Sequence, residues 1–316
     1  MAHPIQGLVK YHGLRDPKNR IPYHDSISVC VQALSTVTTV EALREWKKDE
    51  MTVNGTKAAP AERKRVEKVV GVLKKLAGFS GGLKIVSENS LRTGKGLGFS
   101  SSAFAALGSA TCGALGLNVS DRSLSEIVRL GAGSSTRSLA GGFSIWYADR
   151  SSRSYAEQLN SPRNMDFSMV IVPIHSNVKT DEAHAEVLSS CLFQARLKNI
   201  SSLLERMKKA IQKGDTANIG RLAEEDTLNL HAITMTGKSH MVLWEPDTVR
   251  IMREVIRMRE EETAAWYSMD TGPSVFINTY KKNQAKTAEL FREMGFKNVL
   301  VSAVGEKPSL TGNHLF

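Results

Sequence analysis

Residues 87–106 read SENSLRTGKGLGFSSSAFAA, and the reading of that stretch decides what fold to expect. Gly94, Gly96 and Gly98 precede Ser100, Ser101 and Ser102, and residues 103–114 continue with small and apolar side chains at helical spacing. Glycine permits the positive φ of a tight turn and lets a ligand approach the backbone closely. A helix starting at the serines would point unpaired N–H groups and the positive end of its dipole into the turn. That arrangement holds phosphate. The same residues also suit a serine-capped helix after a plain loop, and taken alone the stretch does not separate the two.

Upstream of the turn, alternation at residues 26–32, 36–42 and 51–53 predicts strands, with Asn54-Gly55 as a hairpin turn. Val66, Val69, Val70, Leu73 and Leu76 mark an amphipathic helix over 61–77, and 83–87 is a short strand feeding the turn. Downstream, a helix at 124–130 leads to a second glycine-rich segment and a strand at 143–147. The second half reads as strand 168–173, helices 181–191, 195–213, 217–235 and 247–262, strand 274–279, helix 283–294 and strand 298–304. Strands and helices alternate irregularly, which points to α+β rather than a doubly wound parallel sheet. A change of texture near residues 162–166 divides the chain into lobes 1–165 and 166–316, with the tail after Glu306 as a surface extension.

At 316 residues the chain has room for two packed lobes. Its formal charge of +10 could serve nucleic acid, a membrane surface or an anionic metabolite. The longest basic run is only Arg63-Lys64-Arg65, and no aromatic interleaving accompanies the basic helix faces. No nucleic-acid partner is expected, and an anionic metabolite is favoured. Cys30, Cys112 and Cys191 are odd in number and lie among apolar residues, so buried free thiols in a reducing cytoplasm are expected. No Cys/His cluster suggests a metal site. No apolar signal core or membrane-spanning run is visible, so no membrane association is expected.

Three residues outside the turn could carry chemistry. Lys10 ends an apolar strand start in VKYHGLRD, Arg137 lies between glycines in GSSTRSLAGG, and Asp270 sits in the turn YSMDTGPSV. Each also has a structural reading: a snorkelling lysine, a structural ion pair and a turn-forming carboxylate.

Read together, these segments resemble the mevalonate-pathway decarboxylases of the GHMP kinase superfamily. Lys10-Tyr11-His12-Gly13-Leu14-Arg15-Asp16 followed by Ser26-Ile27-Ser28 is similar to the family's Lys-Tyr-Trp-Gly-Lys-Arg-Asp and Ser-Ile-Ser. GAGSSTRSLAGGF at 131–143 is similar to Gly-Ser-Gly-Ser-Ala-Cys-Arg-Ser-Leu-Tyr-Gly-Gly-Phe, and MDTGPSV at 269–275 to Phe-Asp-Ala-Gly-Pro-Asn-Ala. LNLHA at 228–232 resembles the Asn-x-Phe-His-Ala helix. The resemblance implies a two-lobed GHMP kinase-like fold: an N-terminal lobe like ribosomal protein S5 domain 2, a C-terminal ferredoxin-like α/β lobe, and the site in the cleft between them. It implies catalytic roles for Asp270, Lys10 and Arg137, with Arg137 holding the substrate carboxylate. Lys10 and Arg137 should then depress the pKa of Asp270. The resemblance further implies substrate contacts from Tyr11, Ser134, Ser135, Lys179 and Thr180, phosphate contacts from Gly96, Gly98, Ser100, Ser101 and Ser102, and a homodimer.

Three departures bear on the substrate. Leu14 stands where a lysine usually meets the substrate's diphosphate, which argues for one phosphate at C5. His12 and Tyr23-His24-Asp25 resemble the phosphomevalonate-type branch of the family. Leu91-Arg92-Thr93 lacks the family's proline, and Phe99 replaces the first serine of the phosphate turn, while Lys95 adds a charge. A phenyl ring there is expected to crowd a triphosphate. The resulting expectation is ATP-independent decarboxylation of mevalonate 3,5-bisphosphate to isopentenyl phosphate, without cofactor or metal. The alternative is an ATP- and Mg²⁺-dependent phosphomevalonate decarboxylase. A non-catalytic isoprenoid- or phosphate-binding sensor on the same fold is a third reading.

Overall fold

IQGLV at residues 5–9 carries no charged residue, and it forms a strand buried at every position. The computed structural model describes residues 1–91, 96–175, 180–312 and 314–316, with side chains omitted at Thr180 and Asp181. The first half runs β1 (Ile5–Val9), β2 (Leu14–Asp16), β3 (Ile21–Pro22), β4 (Ser26–Cys30), β5 (Thr36–Leu43), β6 (Glu50–Val53), β7 (Thr56–Lys57), α1 (Pro60–Leu76), β8 (Gly82–Asn89), α2 (Phe99–Ala114), α3 (Asp121–Arg129), α4 (Ser135–Ala140), β9 (Phe143–Trp146) and β10 (Ala156–Gln158). The second half runs β11 (Ser168–Val172), α5 (Thr180–Glu186), α6 (Phe193–Lys213), α7 (Thr216–Met235), α8 (Pro246–Glu260), β12 (Ala265–Ser268), β13 (Val275–Thr279), α9 (Gln284–Glu293) and β14 (Leu300–Ser302).

The first half builds two sheets, ordered β1-β4-β9-β10 and β5-β8-β6-β7, with the short hairpin β2-β3 beside them. Asn54 and Gly55 both have positive φ, as the expected two-residue hairpin turn requires. In α1, Pro60 supplies the fixed φ of a first helical residue, and Glu62 accepts from the Ala59 N–H at 3.1 Å. Val66, Val69, Val70 and Leu73 then lie on one face, packed with Phe104, Leu107 and Leu124 in a core under the β5–β8 sheet.

The second half is a β-α-β-β-α-β unit with sheet order β12-β13-β11-β14, every pairing antiparallel. That is the ferredoxin-like arrangement that the family resemblance implies, and with the first half it gives a two-lobed α+β fold. The largest core crosses between the halves. Leu8, Ile27, Val29 and Phe143 of the first meet Phe167, Ile171, Met207, Ile219 and Phe276 of the second. A cleft framed by both halves therefore has firm walls.

Several local expectations change. The helix expected at 181–191 ends at Glu186 and tightens into a 3-10 turn over Val187–Ser189. Cys30 and Cys112 are buried as expected, but Cys191 is exposed, because it falls beyond that turn. The tail after Glu306 runs over the surface as expected, with none of its described residues buried, and it is tied down there. Gly305 exchanges backbone hydrogen bonds with Cys30 and Gly142, Ser309 N–H donates to the Met1 carbonyl, and Leu315 N–H reaches Thr39 Oγ1 at 3.0 Å.

Candidate active site

β1 ends at Val9 because the following residues turn toward the second half, and this brings Gly7 against the loop after β12. Gly7 N–H donates to both carboxylate oxygens of Asp270, at 3.0 Å to Oδ1 and 3.3 Å to Oδ2. A Cβ on Gly7 would lie 2.7 Å from Asp270 Oδ1 and 2.6 Å from Lys10 Cγ, so only glycine lets these two side chains converge. The signal for Gly7 was a lone glycine inside an apolar strand, the mark of close backbone approach. Burial pushes the Asp270 carboxyl above its usual range, against the opposing pull of Lys10, Arg137 and the Gly7 hydrogen bond. The expected depression of this pKa is thereby corrected. Desolvation at the floor of a cleft outweighs two nearby cations.

Lys10 is 4% exposed. Its ammonium donates to Thr227 Oγ1 at 3.0 Å and the Ala223 carbonyl at 3.4 Å, with Asp226 Oδ2 at 3.6 Å. Burial lowers its pKa, while Asp226 and Asp270 raise it. Arg137 comes from α4 and is 2% exposed. Its guanidinium lies 5.3 Å from the Tyr11 ring centre and 5.7 Å from that of Trp146. Burial brings its pKa down to about 10, so it stays charged at neutral pH, and its Nε has no hydrogen-bond partner among the described residues. A buried, partly unpartnered guanidinium beside a cavity suits a planar anion. Tyr11 in turn stacks on His184, with ring centres 4.9 Å apart. His231, from the LNLHA segment, is buried on α7, with its ring centre 5.2 Å from that of Trp244.

Lys10, Tyr11, Ser134, Arg137 and Asp270 line one cleft of about 730 Å³. It continues past Gly96, Gly98, Phe99 and Ser100 into a chamber bounded by Thr38, Met51, Val53, Ser87, Asn89 and Phe104. Gly96 and Gly98 both have positive φ. Added Cβ atoms would come within 2.8 Å of the Gly272 Cα and 2.6 Å of the Ile5 carbonyl, so the turn is pressed against the Asp270 loop on one side and β1 on the other. Phe99 is half-buried against the central core while bordering the cleft, and the cavity stays continuous beyond it. The lining offers the N-terminus of the 16-residue α2, whose unpaired N–H groups suit a phosphate, next to the chamber. No group of three or more His, Cys, Asp or Glu among the described residues could hold a metal ion.

Three expected contacts point elsewhere. Ser101 Oγ donates to the Gly98 carbonyl at 2.6 Å and accepts from Ile5 N–H, and Ser102 Oγ bonds Phe99 O and Thr36 Oγ1. Ser135 Oγ donates to the Val128 and Ala132 carbonyls, leaving Ser134 as the serine that faces the cleft. Buried hydroxyls are satisfied by nearby carbonyls before they reach a ligand, and sequence position does not reveal this. Ser100 alone of the three turn serines lines the cavity. Lys179 lies outside the described residues, and Thr180 opens α5 without a described side chain. Sequence reasoning missed Arg196 and Asp226, the buried pair behind Lys10. The available signal was a charge on the apolar stripe of each helix.

Residues 2–156 match the diphosphomevalonate decarboxylase-like N-terminal domain, and residues 177–310 match the mevalonate 5-diphosphate decarboxylase C-terminal domain. Phosphomevalonate decarboxylase of Haloferax volcanii is 38% identical, over 93% of this chain and 91% of its own length. Mevalonate 3,5-bisphosphate decarboxylase of Thermoplasma acidophilum is 26% identical, over 89% and 70%. Among solved structures, mevalonate diphosphate decarboxylase of Staphylococcus aureus superposes with a TM-score of 0.90 at 31% identity, covering 96% of this chain and 94% of that one. The Enterococcus faecalis enzyme, in a structure concerned with its mevalonate diphosphate mediated ATP binding, gives 0.89 at 28% over 96% and 95%. Matches of this extent show the chain to be a carboxy-lyase, a member of the mevalonate-pathway decarboxylases within the GHMP kinase superfamily.

Proposed function

We propose that the protein is an ATP-dependent phosphomevalonate decarboxylase, converting mevalonate 5-phosphate to isopentenyl phosphate, carbon dioxide and phosphate. The observation that carries this reading is the continuous cleft from Asp270 over the Gly96–Gly98 turn to the chamber at Ser87 and Asn89. Phosphorylation of C3 by ATP requires such a second compartment beside the substrate, and this cleft provides it. The higher identity to a phosphomevalonate decarboxylase than to a 3,5-bisphosphate decarboxylase supports the same choice, against the first expectation. Leu14 in place of a lysine supports a single phosphate at C5.

Chemically, the C3 hydroxyl of mevalonate 5-phosphate is a poor leaving group. MgATP, when bound, supplies the phosphoryl group that makes it a good one. Asp270 accepts a hydrogen bond from that hydroxyl and orients it toward the turn, and its raised pKa suits it to take the proton as the oxygen is phosphorylated. Arg137 forks the C1 carboxylate, so that C1–C2 aligns with the breaking C3–O bond. The electrons of C1–C2 then form the C2=C3 double bond, carbon dioxide leaves from C1, and phosphate leaves from C3. Asp270 then passes that proton to solvent through the cleft, and its restored carboxylate, which Lys10 orients, stabilises the positive character growing at C3. Ser134 and Tyr11 face the substrate end, and Ser100 with the backbone of Gly96 and Gly98 faces the phosphates. Lys179 and Thr180 are proposed for the C5 phosphate from the family resemblance alone. A homodimer and a cytoplasmic location belong to the same proposal on the same footing; sedimentation velocity checks the first.

The ATP-independent reading retains one observation, Phe99 at the border of the cleft. Two incubations separate the readings: mevalonate 5-phosphate with MgATP, and mevalonate 3,5-bisphosphate alone. Carbon dioxide from the first is expected. Release only from the second would overturn the proposal in favour of the ATP-independent enzyme, and silence in both would point to the sensor.

A further inference from the structure

Behind the cleft, Lys10 is held by a buried pair that does not line the cavity. Asp226, on α7, is fully buried. Its Oδ2 accepts the Lys10 backbone N–H at 2.8 Å, and its Oδ1 accepts Arg196 Nη2 at 2.8 Å. Arg196, on α6, also donates to the Lys10 carbonyl at 2.7 Å and to Asn229 Oδ1 at 3.0 Å. Both backbone polar groups of Lys10 are thus taken by one ion pair from the second half. The ammonium is seated on the next residue of α7: Thr227 Oγ1, at 3.0 Å, which itself donates to the Ala223 carbonyl and accepts from Met269 N–H just before Asp270. The same short stretch of helix therefore fixes the lysine at its backbone and at its tip, and touches the segment that carries the carboxylate.

We propose that Asp226 is the positioning residue for Lys10: with Arg196 it pins the Lys10 backbone, and by its charge and through Thr227 it sets where the ammonium stands relative to Asp270. This rests on the reading of Lys10 and Asp270 given above. A buried charge pair with no path to the substrate is costly to desolvate; here it has a task, because it takes both backbone polar groups of Lys10 and sets a carboxylate 3.6 Å from an ammonium that burial disfavours. The charged and titratable groups facing Lys10 are Asp226, Asp270, Arg196 and His231; the two carboxylates hold its charge, Arg196 opposes it, and His231 stays neutral by burial.

The test uses the full-length protein with its lysines labelled at Cε, the Lys10 resonance being assigned by its loss in Lys10→Arg. In Asp226→Asn, which keeps an oxygen for the backbone N–H and drops the charge, the Lys10 titration midpoint is expected to fall by about one pH unit or more. The alkaline limb of kcat for mevalonate 5-phosphate with MgATP should move down with it. At neutral pH, kcat should drop roughly tenfold or more while KM stays within about threefold, the signature of an interaction made in the transition state. Asp226→Glu should restore part of the loss. An unmoved Lys10 midpoint, or a raised KM with unchanged kcat, would overturn the proposal. If Asp226→Asn does not fold, Thr227→Val decides: it leaves the ion pair intact, and an unchanged kcat and Lys10 resonance in it would equally overturn the proposal. Should the wild type release no carbon dioxide at all, a lowered midpoint in Asp226→Asn would still uphold the positioning role, and only the proposed reaction would fall.

Discussion

Asp270 and Gly7 set the terms at the residue scale. A carboxyl whose folded pKa is raised holds its proton more tightly in the native state. Its stabilisation is complete below the unfolded value of about 3.9 and is lost as pH rises through the folded value. At neutral pH the desolvation of Asp270 therefore weighs against folding. Asp270→Asn should abolish kcat by about three orders of magnitude with little change in KM, and its melting temperature at pH 7 should equal or exceed that of the wild type. A clearly lower melting temperature would show that Lys10 and Arg137 outweigh burial after all. Gly7→Ala is a second case: the added methyl meets the Asp270 carboxylate and the Lys10 stem together. It should cost about tenfold or more in kcat by displacing both, with steady-state kinetics as the measurement. At this scale Lys10, Arg137 and Asp270 stood out by their settings, the end of an apolar strand, a place between glycines and a Gly/Pro turn, and it was the family resemblance that joined them into one site. The partners of Ser101, Ser102 and Ser135 were not, since which carbonyl lies within reach of a hydroxyl depends on tertiary approach. The sign of the Asp270 shift was misread for a related reason: the sequence displays neighbouring charges but not the depth at which they sit.

Between residue and fold stand the elements, and α2 with its glycine turn is the one that joins the two compartments of the cleft. Gly98 has φ of +73° and would place a Cβ 2.6 Å from the Ile5 carbonyl. Gly98→Ala should therefore lose at least about 1 kcal/mol of stability by denaturant unfolding. It should also raise the KM for ATP more than that for mevalonate 5-phosphate. A variant with unaltered nucleotide KM would remove the turn from its role. Long periodic elements such as α1, α6 and α7 were legible from spacing alone. The four-residue β12, AWYS, and the six-residue α4 were not: each is too short for its period to repeat, and α4 lies between glycines that read as loop. The tightening after Glu186 was equally invisible, because it follows from the close contact of Val187 with Phe193 and Ile233 in a small separate core.

Viewed whole, the molecule joins two lobes through one apolar core, and we propose the boundary between them at residues 165 and 166, within the connection from β10 to β11. Among the described residues no helix is long and apolar enough to cross a membrane. Near the interface between lobes, His12, His24 and His231 are buried. Burial lowers His24 to about 4 and His231 to about 3, and pushes His12 well below its ordinary value. Groups with depressed folded values lend stability that is fully present above the unfolded value of about 6.5. It is lost as pH falls toward the folded ones, at up to about 1.4 kcal/mol per pH unit for each histidine. The melting temperature should therefore drop between pH 6.5 and 4, and His24→Gln should reduce that drop; an unchanged slope would contradict it. None of this was readable in advance, because a histidine in sequence does not announce whether it is solvated.

The most direct measurement counts ADP and carbon dioxide together as mevalonate 5-phosphate is consumed by the wild type and by Asp270→Asn. One of each per substrate molecule is expected from the wild type, and neither from the variant. Carbon dioxide without ADP, or release by Asp270→Asn at the wild-type rate, would contradict a cleft that phosphorylates C3 and decarboxylates around that single carboxylate.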